Sequence, residues 1–392
     1  MCQIGDWSVG LSPVAIHAPV VHAVRRTKQN TAVFGAFVRT TGILVLLLSA
    51  LNLLMPTRAR AWWWQGHEAI TEAAIPALPE PLETFFAAHS GDVIAISGNE
   101  PPGTHYIDID FYPEFTNNTF PRDIDDLIGI YGSSVVSQYG TGPWTAEDYY
   151  NTLVGQFATA TDISDWTDLL STAGALAHYI EDLHNPMHLT LNYNGQLTGQ
   201  HGLHSRYEGT LINTRMAVGF QPGIDAVSGV YYDSMIDAIF DDIYSVYSNN
   251  TTILAADLSA YAAAGDRSSS DYYEFLWDDG CDAFTPTVMD QAATMIAGAW
   301  YSAWRDAGFP QPPGIPPSTN VHVRIVSVGS TGDVVSVIGD AGQLITVQTS
   351  SNVLEWADEA TVTNLDGRMT VDLDSAGSIG PRFYRAVIPV SE

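Results

Sequence analysis

Lysine is almost absent from this chain. Lys28 is the single one among 392 residues, and Asp plus Glu outnumber Lys plus Arg by 44 to 15. A formal charge of −29 repels nucleic-acid backbones and anionic membranes unless bound metal reverses the field locally. Cysteine is scarce as well: only Cys2 and Cys281 occur, which excludes a disulfide scaffold and the Cys-rich closed type of structural zinc site. No apolar run reaches the ~20 residues of a membrane span. Gly42–Met55, "GILVLLLSALNLLM", has 14 residues.

That run reads as the core of a signal peptide. Residues 1–61 hold six Lys/Arg against one acidic residue, and "ARA" directly precedes Trp62. The expectation is a long leader over 1–61, cut before Trp62, and a protein that is secreted, periplasmic or on the cell surface. The 331 residues that remain carry nine Arg, no Lys and 43 Asp/Glu. Their one cysteine, Cys281, reads as a small buried apolar residue.

Several reaction classes lack their signatures. There is no G-x-S-x-G elbow and no phosphate loop of the Walker type, and "HEAIT" at His67 lacks the second His of a zinc-protease helix. From Glu68 to about Ala307 the apolar period is helical. "STAGALAHYIEDL" keeps Ala175, Leu176, Tyr179, Ile180 and Leu183 on one side. "TPTVMDQAATMIAGAWYSAWRDAG" predicts a helix capped by Thr285, with Pro286 in its first turn and an end near Gly308. The Gly, Pro and Asn content between Gly91 and Thr119 predicts a long irregular loop. "FPQPPGIPPSTN" holds five prolines in twelve residues and reads as a stiff linker. Beyond it the period becomes 2, with turn signals between short runs. The expected organisation is a helical domain over 62–308, a linker over 309–319 and a small β-sandwich over 320–392.

Histidine is concentrated in "HYIEDLHNPMHLTLNYNGQLTGQHGLHSRYE", His178 to Glu208. His178 and Asp182 are four apart, so a helix presents both on one face. His188 follows the Pro186 that ends that helix. His204 and Glu208 repeat the spacing. One such pair is commonly no more than a surface pairing worth a few tenths of a kcal/mol. Two pairs with a His between them supply nitrogen and carboxylate donors of the kind catalytic zinc takes. Upstream, "HSGD" offers Asp92 and "THYIDID" offers His105. His89, His184, His201 and His322 are read as ordinary core or surface residues.

The combination His178-x3-Asp182-x5-His188 with His204-x3-Glu208, "HYIDID" upstream and Trp62 five residues before His67 resembles the zinc-dependent phospholipases C and the related single-strand-specific zinc nucleases. The resemblance spans Trp62 to Glu208 in scattered motifs and does not cover the β part. It implies a mainly α domain holding three Zn2+ ions, with the α-amine and carbonyl of Trp62 as ligands once the leader is removed. Trp62, His67 and Asp182 would hold one ion; His188, His204 and Glu208 a second; Asp92, His105, His178 and Asp182 a third. Asp92 and Asp182 are also the implied catalytic carboxylates. Tyr106 would stack on a base and Asp108 would bond its edge, whereas Asn192 matches a phospholipase Asn near the substrate. Glu208 also stands where the nucleases usually carry Asp. Position 95, three after Asp92, is Ala where the nucleases carry Arg, which leaves Glu100 as an alternative acidic ligand.

The expected function is hydrolysis of a phosphodiester by a monomeric exported enzyme. Nuclease-type action on single-stranded nucleic acid leads, and phospholipase C action on lipid headgroups is the alternative. A non-catalytic metal-containing binding protein is the distant third. The β part weakly resembles small C-terminal modules that end in "FYR" on exported bacterial hydrolases.

Overall fold

A computed structural model describes residues 62–99, 101, 103–220, 225–317, 321–328, 332–373 and 382–389. The expected leader and Glu100 lie outside them. The described residues are mainly helical, followed by two three-stranded antiparallel sheets. Six helices position the site: α1 (Trp63–Ala74), α2 (Ser90–Ser97), α3 (Gly142–Thr159), α4 (Ile163–Leu183), α5 (Asn250–Ala264) and α6 (Thr285–Asp306).

α4 starts where Asp162 accepts from the backbone N–H groups of Ser164 and Asp165, at 2.8 and 3.2 Å, the side-chain capping that leaves fewer orphan donors at a helix start. From Thr172 to Leu183 all its residues are buried, so it runs through the middle of the body. α6 is apolar along most of its length, and the Trp300 indole donates to Ala173 O at 3.1 Å, tying α6 to α4. Pro286 lies in its first turn, as the sequence implies. Thr285, expected as the cap, is instead its first helical residue, and its hydroxyl faces Tyr207 OH at 3.1 Å. Buried among apolar side chains, that hydroxyl has a partner across the core and none at the helix start.

The long loop expected from Gly91 begins only after Ser97, because "SGDVIAIS" is helical. Packing overrides the breaker signal of Gly91, which sits near the helix start, outside the interior where glycine is most costly. α2 lies hard against α4. A Cβ built on Gly174 would stand 2.6 Å from Ile96 Cγ2 and 2.9 Å from Val93 O. Gly174→Ala is therefore expected to force the helices apart and lower stability by about 1–3 kcal/mol, the range for overpacking. Thermal unfolding followed by circular dichroism should show a midpoint several degrees lower, and an unchanged midpoint would refute the close approach.

The strands are β1 (His322–Val328), β2 (Asp333–Ile338), β3 (Leu344–Ser350), β4 (Ala357–Thr363), β5 (Arg368–Leu373) and β6 (Phe383–Val387), ordered β1-β2-β5 and β4-β3-β6. Val335, Val337, Ile345, Val347, Val371 and Leu373 form a separate small core, drawn from alternate residues along β2, β3 and β5, as a strand's period of 2 requires. The sandwich is not held at a distance by the proline-rich segment. Ala341 N donates to Glu80 O at 2.9 Å and Tyr301 OH to Leu365 O at 2.5 Å. The segment's first residues are themselves tied down, with the Trp304 indole donating to Pro310 O at 2.8 Å.

Candidate metal centre

The last turns of α4 present His178 and Asp182 on one buried face. Ser97 at the end of α2 receives His178 Nδ1 on its carbonyl at 2.7 Å. A carbonyl only accepts, so Nδ1 carries a proton and Nε2 is the ring nitrogen turned toward the site. That Nε2 lies 3.0 Å from Asp182 Oδ2. From α1, His67 brings Nε2 to 3.6 Å from Asp182 Oδ1, and its ring stacks on that of His178 at 4.3 Å.

Asn185 caps the 3-10 turn Pro186–His188 by accepting from Met187 N at 3.0 Å, which turns His188 back toward α4. His204 and Glu208 come from the start of a π-helical turn, Ser205–Leu211, a geometry frequent at functional sites. Glu208 Oε2 is 2.6 Å from His204 Nε2 and 3.2 Å from His188 Nε2, and those two nitrogens are 3.0 Å apart. The ring of His105 lies 5.1 Å from that of His188.

Among the described residues three groups of donor atoms result, each within 4.8 Å: His67, His178 and Asp182; His105, Asp182 and His188; and His188, His204 and Glu208. Asp182 and His188 are shared between groups. The electrostatics are those of a site built for positive charge. Burial alone would raise Asp182 and Glu208, but the imidazoles around them outweigh it, driving Asp182 far below the carboxylate range and Glu208 to about 2. Burial would lower His178, yet Asp182 overrides it and pushes the imidazole up to about 9.

The residues fit a metal centre. His67 Nε2, His178 Nε2 and both Asp182 oxygens are buried and make no hydrogen bond of ordinary geometry. Buried polar atoms are nearly always paired. Convergent imidazole nitrogens and carboxylate oxygens without a thiolate are the donor set of a hydrolytic zinc site rather than a structural one.

Beside the third group opens a cleft of about 370 Å3 lined by His105, Tyr106, Asp108, Gln138, Met187, His188, Tyr193 and His204. Burial, then the neighbouring Asp110, pushes the Asp108 carboxyl up to about 7. Tyr106 donates to Gln138 O at 3.3 Å, leaving its ring on the cleft wall.

Seventeen chains of solved structures are similar to this one, two alpha toxins among them. One is titled an alpha toxin from Clostridium absonum, at 12% identity and TM-score 0.39, covering 82% of this chain and 84% of that chain. The other is a Clostridium perfringens alpha-toxin from avian strain SWCP, at 10% identity and TM-score 0.38, covering 81% and 83%. No family model matches the chain, and no curated protein does. The site therefore stands on its own geometry.

That geometry corrects parts of the expected ligand sets. His188, His204 and Glu208 stand in one group. His178 joins His67 instead of His105, and His105 joins His188. Asp92 is not brought in at all: its side chain is 74% exposed, with Oδ2 3.9 Å from His89 Nδ1. It occupies the first turn of α2, where a carboxylate favours the helix dipole. Asn192 is not on the cleft. Its amide accepts from Leu197 N at 2.8 Å and donates to Thr198 Oγ1 at 3.1 Å, which closes its own loop. Trp62 is fully buried, and its indole donates to Glu181 O at 2.8 Å. The sequence reading missed Glu181, and it missed Gln138, Met187 and Tyr193 on the cleft. The signal for Glu181 was a second acid beside Asp182, on a turn that His178 already marks as functional.

Proposed function

We propose that this chain is an exported zinc-dependent phosphoesterase that cleaves phosphodiesters, working after removal of its leader. The observation that carries the reading is the set of three donor groups linked through Asp182 and His188 at one end of a cleft. Zinc, when bound, supplies Lewis acidity toward a phosphoryl oxygen and lowers the pKa of water toward ~7. The protein's part is orientation. Ser97 fixes the tautomer of His178, Asn185 sets His188, and Asp182 joins two groups so that they act on one phosphate. Three ions, one per donor group, are part of this proposal.

For the substrate, the phospholipid headgroup moves ahead of nucleic acid, because the cleft lining contains no arginine. Polymer binding rests on Lys and Arg contacts to phosphate. Three of the arginines are paired away from the cleft: Arg206 with Asp257, Arg122 with Asp237 and Asp241, and Arg382 with Asp333. The faces of Tyr106 and Tyr193 with the Asp108 carboxyl suit a quaternary ammonium headgroup, which aromatic rings bind through their quadrupole. The second reading, attack on single-stranded nucleic acid, keeps the support of Tyr106, since a base stacks on an aromatic without Lys or Arg. Among the described residues no helix is long and apolar enough to cross a membrane.

Zinc-loaded protein beginning at Trp62 should be given phosphatidylcholine micelles and, separately, single-stranded DNA, each with and without chelator. Chelator-sensitive release of phosphocholine is expected. DNA cleavage alone would reverse the order of the two readings, and silence on both with zinc bound would defeat the phosphodiesterase reading.

A further inference from the structure

We propose that Glu181 is a positioning residue of the metal centre, fixing both Trp62 and His67 for the ion that Asp182 shares. The inference rests on the zinc reading above. Glu181 is completely buried, and a buried carboxylate is stable only when paired and hydrogen-bonded. Its partners are specific. One oxygen meets His67 Nδ1, and the other accepts from Thr71 Oγ1 at 2.6 Å. Thr71 Oγ1 also lies 2.8 Å from Ser97 Oγ, and the Ser97 carbonyl is the group that orients His178. The backbone carbonyl of Glu181 receives the indole N–H of Trp62. A single residue next to Asp182 thus reaches the two N-terminal groups and, through Thr71 and Ser97, the residue that sets His178.

The chemical consequence follows from the acceptor-only nature of an ionised carboxylate. The proton between Glu181 and His67 belongs on Nδ1, so Nε2, the atom facing Asp182, is left as a lone pair. A carboxylate behind a histidine in this way orients the ring and raises its basicity toward a metal. In this chain the same residue also anchors the indole of Trp62, so the starting turn of α1 and the ring of His67 are held to one point on α4. Thr71 completes the arrangement, because without it one carboxylate oxygen would be free to rotate away from the imidazole.

The test uses protein beginning at Trp62, stripped of metal and titrated with zinc against a chromophoric chelator. Glu181→Gln keeps the shape and loses the charge. It is expected to bind one zinc about 10- to 100-fold more weakly than the wild type, the usual effect of altering such an outer partner, with the other ions unchanged. Helicity of the zinc-free protein should be unaltered, a comparison that separates positioning from simple support of the fold. Thr71→Val should weaken the same ion less. Zinc affinity unchanged in Glu181→Gln would overturn the proposal. Should that variant not fold, nitrogen-15 histidine spectra of zinc-free wild type decide: a His67 ring protonated at Nδ1 is expected, and a ring protonated at Nε2 overturns the assignment. Wild type that takes up no zinc defeats the metal reading itself, a result distinct from equal affinities in the two proteins.

Discussion

Asp182→Asn is expected to strip two zinc ions from the protein and slow phosphodiester hydrolysis roughly 10^3-fold. Asp182 is the one carboxylate common to two donor groups, and both its oxygens are buried without a hydrogen bond of ordinary geometry. The amide keeps the volume but replaces one oxygen with an NH2. That NH2 points protons at imidazole nitrogens that must offer lone pairs. The negative charge that holds the imidazole cluster together is lost as well. Stabilisation of a phosphoryl transition state by metal is worth several kcal/mol, and each 1.36 kcal/mol is a factor of ten in rate. His204→Ala is the internal comparison, because it belongs to only one group and should release a single ion. Metal content after dialysis, measured beside the hydrolysis rate, checks both. Three ions and near-normal rate in Asp182→Asn would place the catalytic metal elsewhere.

The parts of this site that were legible in the sequence are those set by local periodicity. His178 and Asp182 are four positions apart, as are His204 and Glu208, and a helical turn brings such residues together whatever the surrounding fold. His188 was legible because Pro186 had to end the helix. For the second pair spacing was legible and helix type was not, since the turn that carries Glu208 is π-helical. Grouping was not legible. Whether His178 faces His67 or His105 depends on how α1 and α2 pack on α4, and that is decided by contacts such as the glycine at 174. Asp92 fails for the same reason: its distance along the chain from His105 says nothing about which side of α2 faces solvent. Glu181 was hidden because an acid in a helix reads as surface charge until the turn around it proves buried. The change from helices to sandwich was legible from the change of period alone, while the docking of the sandwich through Glu80 and Tyr301 leaves no local mark. The order of the two substrate readings changed because sequence counts arginines but does not place them.

Asp257→Ala is expected to be the most destabilising single change outside the metal ligands. Asp257 on α5 is buried and accepts from Arg206 Nη2 at 2.8 Å, Arg267 Nη2 at 2.9 Å, Gln200 Nε2 at 2.8 Å and the hydroxyl of Tyr272. Burial would raise its pKa, but those hydrogen bonds outweigh it and hold the carboxyl at about 2. Because the folded value lies below the ~3.9 of an unfolded Asp, its contribution is complete above about pH 4 and disappears as pH falls toward about 2. Truncation leaves two largely buried guanidinium groups without their anion, a loss of about 3–5 kcal/mol, or a melting point lower by roughly 10 °C for a domain of this size. Arg206 stands between His204 and Glu208, and it also holds the carbonyls of His201 and Gln200 at 2.7 and 3.0 Å. The same anchor therefore fixes the third donor group. Zinc stabilises the folded state in proportion to its affinity, so melting the variant and the wild type with and without zinc separates the two roles. An equal deficit in both conditions would mean that Asp257 serves the fold alone. A larger deficit with zinc present, the expected result, means that this ion-pair hub also sets the geometry of the metal centre.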